Sequence, residues 1–285
     1  MANTIALAET YLPLLDEVYK AESKTSVLDT ANGQIRFVGG NKIELFNITM
    51  DALGNYSRAT GFPNGNVTAS WEPMVLSVDR GRSFSVDAMD NEETMGMAFG
   101  TLAGEFLRTQ VVPEVDTFRF AKYAGLAPTE QVKAIGSGTL GALIDDAEMA
   151  LTNAEVPEEG KILFLSADGY KLLKGGINRD IKNMESMIDH ESGVYDTMPV
   201  IVVPQNRMKT LCNLTADGYN TTGATDILAM IVHPTAVAQV TKHEVPRIFD
   251  PATNQAADSW KFDYRIYHDT FALANKKNGI YVITK

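Results

Sequence analysis

The 285-residue chain holds a single cysteine, Cys212, so it can form no internal disulfide and no cysteine-built zinc site, and it fits a reducing interior. Its four histidines, His190, His233, His243 and His268, are scattered with no i, i+4 pair and no HExxH, which removes the usual histidine metal sites. Long apolar runs are missing too. The uncharged stretch 94–104 falls far short of the ~20 residues a bilayer span needs. No cationic segment precedes an apolar one at the start, so no secretory signal is expected. Basic residues are the minority, 25 against 36 acidic, for a net charge of -11, which argues against whole-protein affinity for nucleic acid but leaves room for a local basic patch. No GxSxG, Walker A or Cys/His arrangement is present. The neighbouring pairs Asp145/Asp146 and Glu158/Glu159 diverge on a helix or solvate in a turn, so neither reads as an acid–base couple.

One motif bears on chemistry. Gly136-Ser-Gly138-Thr-Leu-Gly141 has GxGxxG spacing and opens a helical stretch, with Glu158 and Glu159 about twenty residues on, as in a dinucleotide-binding turn. A nucleotide-dependent enzyme is therefore one reading. Against it, the run 131–135 before the glycines is short, the acidic pair sits in a Pro-Glu-Glu-Gly turn, and no regular βαβ succession follows. A glycine-rich connector fits better, and no catalytic residue, metal ligand or cofactor is assigned.

What the chain does have is a long amphipathic helix. From Asp90, Met95, Ala98, Phe99, Leu102, Ala103, Phe106 and Val111 recur at three- and four-residue spacing. Asp90 and Glu93 resemble a capping box, and Pro113 is read as the stop, leaving about 22 residues or ~33 Å. Gly96, Gly100 and Gly104 stack along one side, where another backbone could approach; each costs roughly 1 kcal/mol of helix propensity against Ala. Three merely tolerated glycines are the alternative.

Ahead of the long helix, Leu14, Leu15, Val18 and Tyr19 give one short amphipathic helix after Pro13, with Leu12 just before it in the same arm. The aperiodic segment that follows reads as an extended arm needing something else to pack on, or as a disordered tail. KIELFNITM (42–50) is a strand, and 73–87 holds two strand-like runs. The polar excursion between them carries turn chemistry at Gly61, Phe62, Pro63, Asn64 and Gly65, with Arg58 beside it. A loop of that length implies a projecting two-stranded arm, marginal alone in water and so calling for a partner surface, most naturally another copy. Beyond the long helix come a helix at 138–154, a strand ILFL, a helix that Ser166 could cap, and short buried strands MPVIVVP and DILAMIVH. Two closing strands, 260–274 and 279–285, are read as a hairpin turning at 275–279. The class is α+β.

The order of these elements and the wording of YLPLLDEVYKAES, SFSVDAMDNEET, VPEEGKILFLSADGYKLL, MPVIVVP and DTFALANKKNGIYV, spread over nearly the whole chain, resemble the major capsid proteins of tailed bacteriophages. Encapsulin compartments use the same shell fold. The resemblance implies an N-terminal arm at 1–38 and an extended β-hairpin loop at 39–86. A peripheral domain with the spine helix would take 87–127, an α/β axial domain 128–245, and return strands 246–285. It implies a structural protein, not an enzyme, that self-assembles through hexamers and pentamers into an icosahedral shell around double-stranded DNA, with a portal and no membrane. The encapsulin-like compartment stays open beside it.

Within that resemblance, the tip residues 58–65, the glycine face and the arm residues are the expected inter-subunit contacts. Some members weld the shell through a lysine on the extended loop, but no lysine falls between Lys42 and Lys122, so no such cross-link is expected. Some carry a long scaffolding segment; here the arm starts near Met1, so scaffolding would come from a separate protein.

Overall fold

The computed structural model describes residues 23–29, 35–39, 41–59, 61–93, 97–136, 138–176, 182–183, 193–255, 257–273 and 275–285. The 3-10 turn Ser26–Leu28 buries Leu28 in the main core. Strand β1 (Ile35–Phe37) pairs antiparallel with β2 (Lys42–Met50), and β2 with β3 (Val67–Val75), setting Phe46 opposite Trp71. β3 takes in residues 67–71, which the alternation pattern left in the loop. Ladder bonds to β2 extend the strand where side-chain pattern is weak.

β4 (Val78–Asp87) leaves this hairpin for another sheet. Helix α1 (Ala88–Glu93) follows, and Asp87, not Asp90, serves its start, accepting from the Met89 N–H at 2.9 Å. Then α2 (Met97–Phe106), a π-turn Leu107–Val111 and α3 (Val112–Leu126) run without a break. Pro113 therefore does not stop the helix. It lies inside this continuous segment, just past the π-turn, whose wider geometry gives its ring room against the preceding carbonyls. The unbroken segment 97–126 is ~45 Å long at 1.5 Å per residue.

The rest supplies β5 (Val132–Ala134), α4 (Leu140–Asn153), β6 (Ile162–Ser166), α5 (Ala167–Gly176), β7 (Lys182–Asn183), β8 (Gly193–Tyr195) and β9 (Met198–Val203). After them come β10 (Asn213–Thr215), β11 (Gly218–Asn220), β12 (Ile227–Val232), β13 (Val237–Phe249), β14 (Ser259–Ala272) and β15 (Ile280–Thr284). Seven strands form a mixed sheet ordered β5-β15-β12-β6-β9-β8-β7. Its strands β6, β12 and β15 are buried at every position because both faces are covered. Ile162 and Phe164 face Phe120 and Tyr123 of α3, while Leu163 and Leu165 face Leu140, Ile144 and Leu151 of α4. As expected, Ser166 caps α5, accepting from the Gly169 N–H at 3.0 Å.

The other body is a three-stranded sheet, β13-β14-β4. Phe262, Tyr264 and Ile266 pack there against Ala103, Leu107, Val111, Val112 and Val115. The long helix thus rests its first half on this sheet and its second half on the larger one. β13 carries Pro246 and is absent from the sequence expectation; proline is tolerated because β13 is an edge strand. β14 and β15 are not a hairpin. The chain crosses from one sheet to the other through residues 273–279, where a Cβ on Gly279 would lie 2.6 Å from the Ala236 Cβ, so only glycine lets the link pack this closely. β15 consequently joins the α/β layer, and β13 and β14 join β4.

Candidate assembly interface

The β2–β3 hairpin is rooted by Ile43 and Leu45, fully buried against Leu76, Ala238, Val240 and Phe271. Beyond that root its apolar residues face outward: Met50 is 67 % exposed, Val67 66 % and Phe62 85 %. Cross-strand Phe46 and Trp71 pack with ring centroids 5.1 Å apart, which stiffens the shaft. In the loop 51–66, Asp51 closes the neck, accepting from the Asn66 N–H at 2.8 Å. Gly61 sits at φ +80 and exchanges backbone hydrogen bonds with Ser57. Phe62 meets Tyr56 edge-on at 5.0 Å. Arg58, Pro63, Asn64 and Gly65 are all exposed. The predicted tip residues are thus brought together as one outward-facing knob.

The glycine face is only partly visible. Gly96 lies outside the described residues and Gly100 falls within α2. At Gly104 an added Cβ would meet nothing within 4 Å among the described residues. Leu12, Leu14, Leu15, Val18 and Tyr19 lie outside the described residues.

The strongest polar feature has no local signature in the sequence. Asp116 of α3 is fully buried, and its carboxylate accepts from Ser23 Oγ (2.8 Å), Lys24 N (3.0 Å), Thr25 Oγ1 (2.7 Å), Thr25 N (3.4 Å) and Arg207 Nη1 (3.1 Å). One turn on, buried Arg119 donates to Thr25 Oγ1 at 2.9 Å and pairs with Asp29 at 3.2 Å. Residues 23–29 are thereby latched to the long helix. Burial pushes the Asp29 carboxyl up, with Arg119 opposing. Beneath the latch, burial and then the charge of Arg119 push the His268 imidazole down to about 3, and burial raises the Tyr123 phenol. Partners 90 and more residues apart in sequence leave no local pattern.

At the GxGxxG stretch, Gly136 takes φ +49 and Thr139 caps α4, accepting from the Ala142 N–H at 3.4 Å. β5, however, has only three residues at the sheet's edge, and β15 and β12 separate it from β6. A dinucleotide fold instead places its glycine turn after an interior strand beside the next parallel one. Among the described residues, no three His, Cys, Asp or Glu stand together as a metal site, and no helix is long and apolar enough to cross a membrane.

No protein-family profile and no curated protein sequence matches the chain. Solved structures do. A structure from Gordonia phage Cozz aligns with TM-score 0.62 at 13% identity over 92% of this chain and 86% of its own. The capsid of the cyanophage P-SCSP1u gives 0.59 at 14% over 90% and 86%. A virus-like particle from Pyrococcus furiosus gives 0.51 at 13% over 96% and 98%. The chain has the α+β fold of phage capsid structures.

Proposed function

We propose that this chain is the major capsid subunit of a tailed bacteriophage, a structural protein and not an enzyme. Identical copies build hexamers and pentamers that close an icosahedral shell around double-stranded DNA, with a portal and a separate scaffolding protein as partners. The shell forms in the bacterial host cytoplasm and becomes the virion wall. The observation that carries this reading is the hairpin: on a chain with the capsid fold, it carries five large apolar side chains (Met50, Leu53, Tyr56, Phe62, Val67) that are 60 % or more exposed. At roughly 1.5–3 kcal/mol for full burial of each, covering them by a neighbour supplies an order of ~10 kcal/mol toward association before its entropic cost.

In this reading residues 42–75 are the extended loop and 97–126 the spine helix. The sheet containing β6, β9 and β12 is the core of the axial domain. The acidic net charge suits a wall that retains DNA without adsorbing it tightly. The alignment with a virus-like particle over almost both whole chains favours a second reading, an encapsulin-like compartment. Nucleic acid or protein as the content of purified particles separates the two.

The test is sedimentation velocity of wild type beside a deletion of residues 58–67. The expected result is a soluble, folded deletion protein that stays small where wild type forms fast-sedimenting assemblies. A deletion protein that assembles like wild type, or a wild type that never exceeds a small oligomer even with its scaffolding protein present, contradicts the proposal.

A further inference from the structure

Three Asn-Gly pairs occur in the chain, Asn32-Gly33, Asn64-Gly65 and Asn278-Gly279. The dipeptide is reactive because glycine has no side chain to shield its own nitrogen, which can reach the carboxamide carbon of the asparagine before it. How freely the shared peptide rotates then decides whether reaction occurs. The first pair lies outside the described residues, and the other two stand in opposite surroundings. At Asn278-Gly279 the linking peptide is held at both ends. The Asn278 carbonyl accepts from Gln131 Nε2 at 3.1 Å, and the Gly279 N–H donates to the Lys276 carbonyl at 2.9 Å. Gly279 is also buried, packed against Ala236. At the hairpin tip, by contrast, Asn64 and Gly65 are both exposed and belong to no strand or helix. Among the described residues, no backbone hydrogen bond holds the Asn64 carbonyl or the Gly65 N–H. The chain is pinned on either side instead, by the Ser57–Gly61 bonds before Phe62 and by the Asp51–Asn66 bonds after Gly65.

We infer that Asn64 is a self-modification site, converted in the unassembled subunit to aspartate and isoaspartate. The Gly65 nitrogen, losing its proton to solvent hydroxide, attacks Asn64 Cγ. A C–N bond forms, the Cγ–Nδ2 bond breaks and ammonia leaves, closing a succinimide ring. Water then opens the ring. Cleavage at Cγ leaves aspartate, and cleavage at the main-chain carbonyl leaves isoaspartate, whose backbone runs on through Cβ and Cγ. Nothing is oxidised or reduced, and solvent is the only co-reactant. Each event adds one carboxylate to the knob that Tyr56 and Phe62 build, and isoaspartate also lengthens its backbone by a methylene. The modification itself stands on the geometry of the tip; its consequence rests on the shell reading above, in which a neighbouring copy covers the knob. Taking an added charge out of water is costly unless it is paired, so modified subunits assemble poorly. A covered Asn64, in turn, no longer swings into the ring-closing geometry. The tip thus acts as a clock that retires subunits left unassembled.

The experiment ages full-length wild-type subunits, kept dilute in mildly alkaline buffer, and follows each Asn-Gly peptide by mass spectrometry, with electron-transfer fragmentation to separate isoaspartate from aspartate. The expected result is a deamidation mass gain at Asn64 at least ~10-fold faster than at Asn278, where a hydrogen bond and buried packing must open first. Equal rates at the two sites, or an unchanged Asn64, overturn the inference and leave the shell reading intact. Gly65→Ala supplies the control. Its Cβ would stand 3.9 Å from the Asp51 Cβ, an ordinary contact, and Gly65 has no left-handed φ, so the fold is kept while the attack is hindered. An alanine variant that gains mass at Asn64 as fast as wild type also overturns the inference. For the consequence, Asn64→Asp should lower the assembled fraction about tenfold, the effect of one unpaired polar group at a covered surface, while Asn64→Gln assembles like wild type and does not age. Normal assembly of Asn64→Asp overturns the clock while the mass gain still decides the modification. Wild-type protein that never associates, even with its scaffolding protein, overturns the shell reading and the clock, and the aged peptides still decide the chemistry.

Discussion

Replacing Asp116 with alanine removes the one acceptor on which residues 23–29 converge. Four donors from residues 23–25 and the Arg207 guanidinium each lose the buried carboxylate as an acceptor, and Arg207 keeps only 13 % of its side chain in solvent. Counting each charge-assisted hydrogen bond at ~1.5–3 kcal/mol would overshoot, since the segment can undock and rehydrate instead. Undocking uncovers Leu28, worth ~2 kcal/mol, and breaks the buried Asp116–Arg207 ion pair, so the expected loss is ~3–5 kcal/mol, the range for such a pair. For a chain of this size that lowers Tm by roughly 6–15 °C. Calorimetry gives the magnitude, and amide hydrogen exchange over 23–29 shows whether the latch has opened. Asp116→Asn, which keeps an acceptor but loses the charge, should fall between. A shift under ~1 kcal/mol with 23–29 still protected refutes the latch.

Three further outcomes follow from the same contacts. His268 stays neutral in the fold down to about pH 3 while the unfolded chain takes up a proton below about 6.5, so its contribution is complete above 6.5 and is lost as pH falls; denaturant midpoints at pH 7 and 5 should differ by an extra ~2 kcal/mol in wild type, absent in His268→Gln. Gly104→Ala should stabilise the isolated chain by ~0.5–1 kcal/mol, since its Cβ meets nothing, while Gly104→Leu should spare solubility and impair assembly; normal shells from the leucine variant mean the glycine is merely tolerated. Gly169→Ala drives a Cβ to 2.2 Å from the Leu228 carbonyl in the buried β12 and should cost ~3 kcal/mol, read as soluble yield and Tm; wild-type stability contradicts that packing.

Short-range physics was legible in the sequence. Alternation and run length located β2, β6, β9 and β12, and Ser166 announced its helix. Long-range physics was not. Whether Pro113 ends a helix depends on a π-turn five residues long that no propensity reports. β13 was hidden by Pro246, tolerated only because no strand lies beyond it. The β14–β15 link read as a hairpin because each strand is locally convincing, and only the burial of residues 280–284 between β5 and β12 sends β15 to the other sheet. At the candidate interface the turn residues of the tip were visible from Gly, Pro and Asn chemistry. The Asp116 latch was not, because its partners meet only after folding.

Electron microscopy of the purified protein by negative stain, over a range of concentrations and with light scattering alongside, tests the shell-subunit claim most directly. Closed shells, tubes or six-fold rings are the predicted result. A single small oligomer at every concentration, with the scaffolding protein present as well as without it, would contradict it.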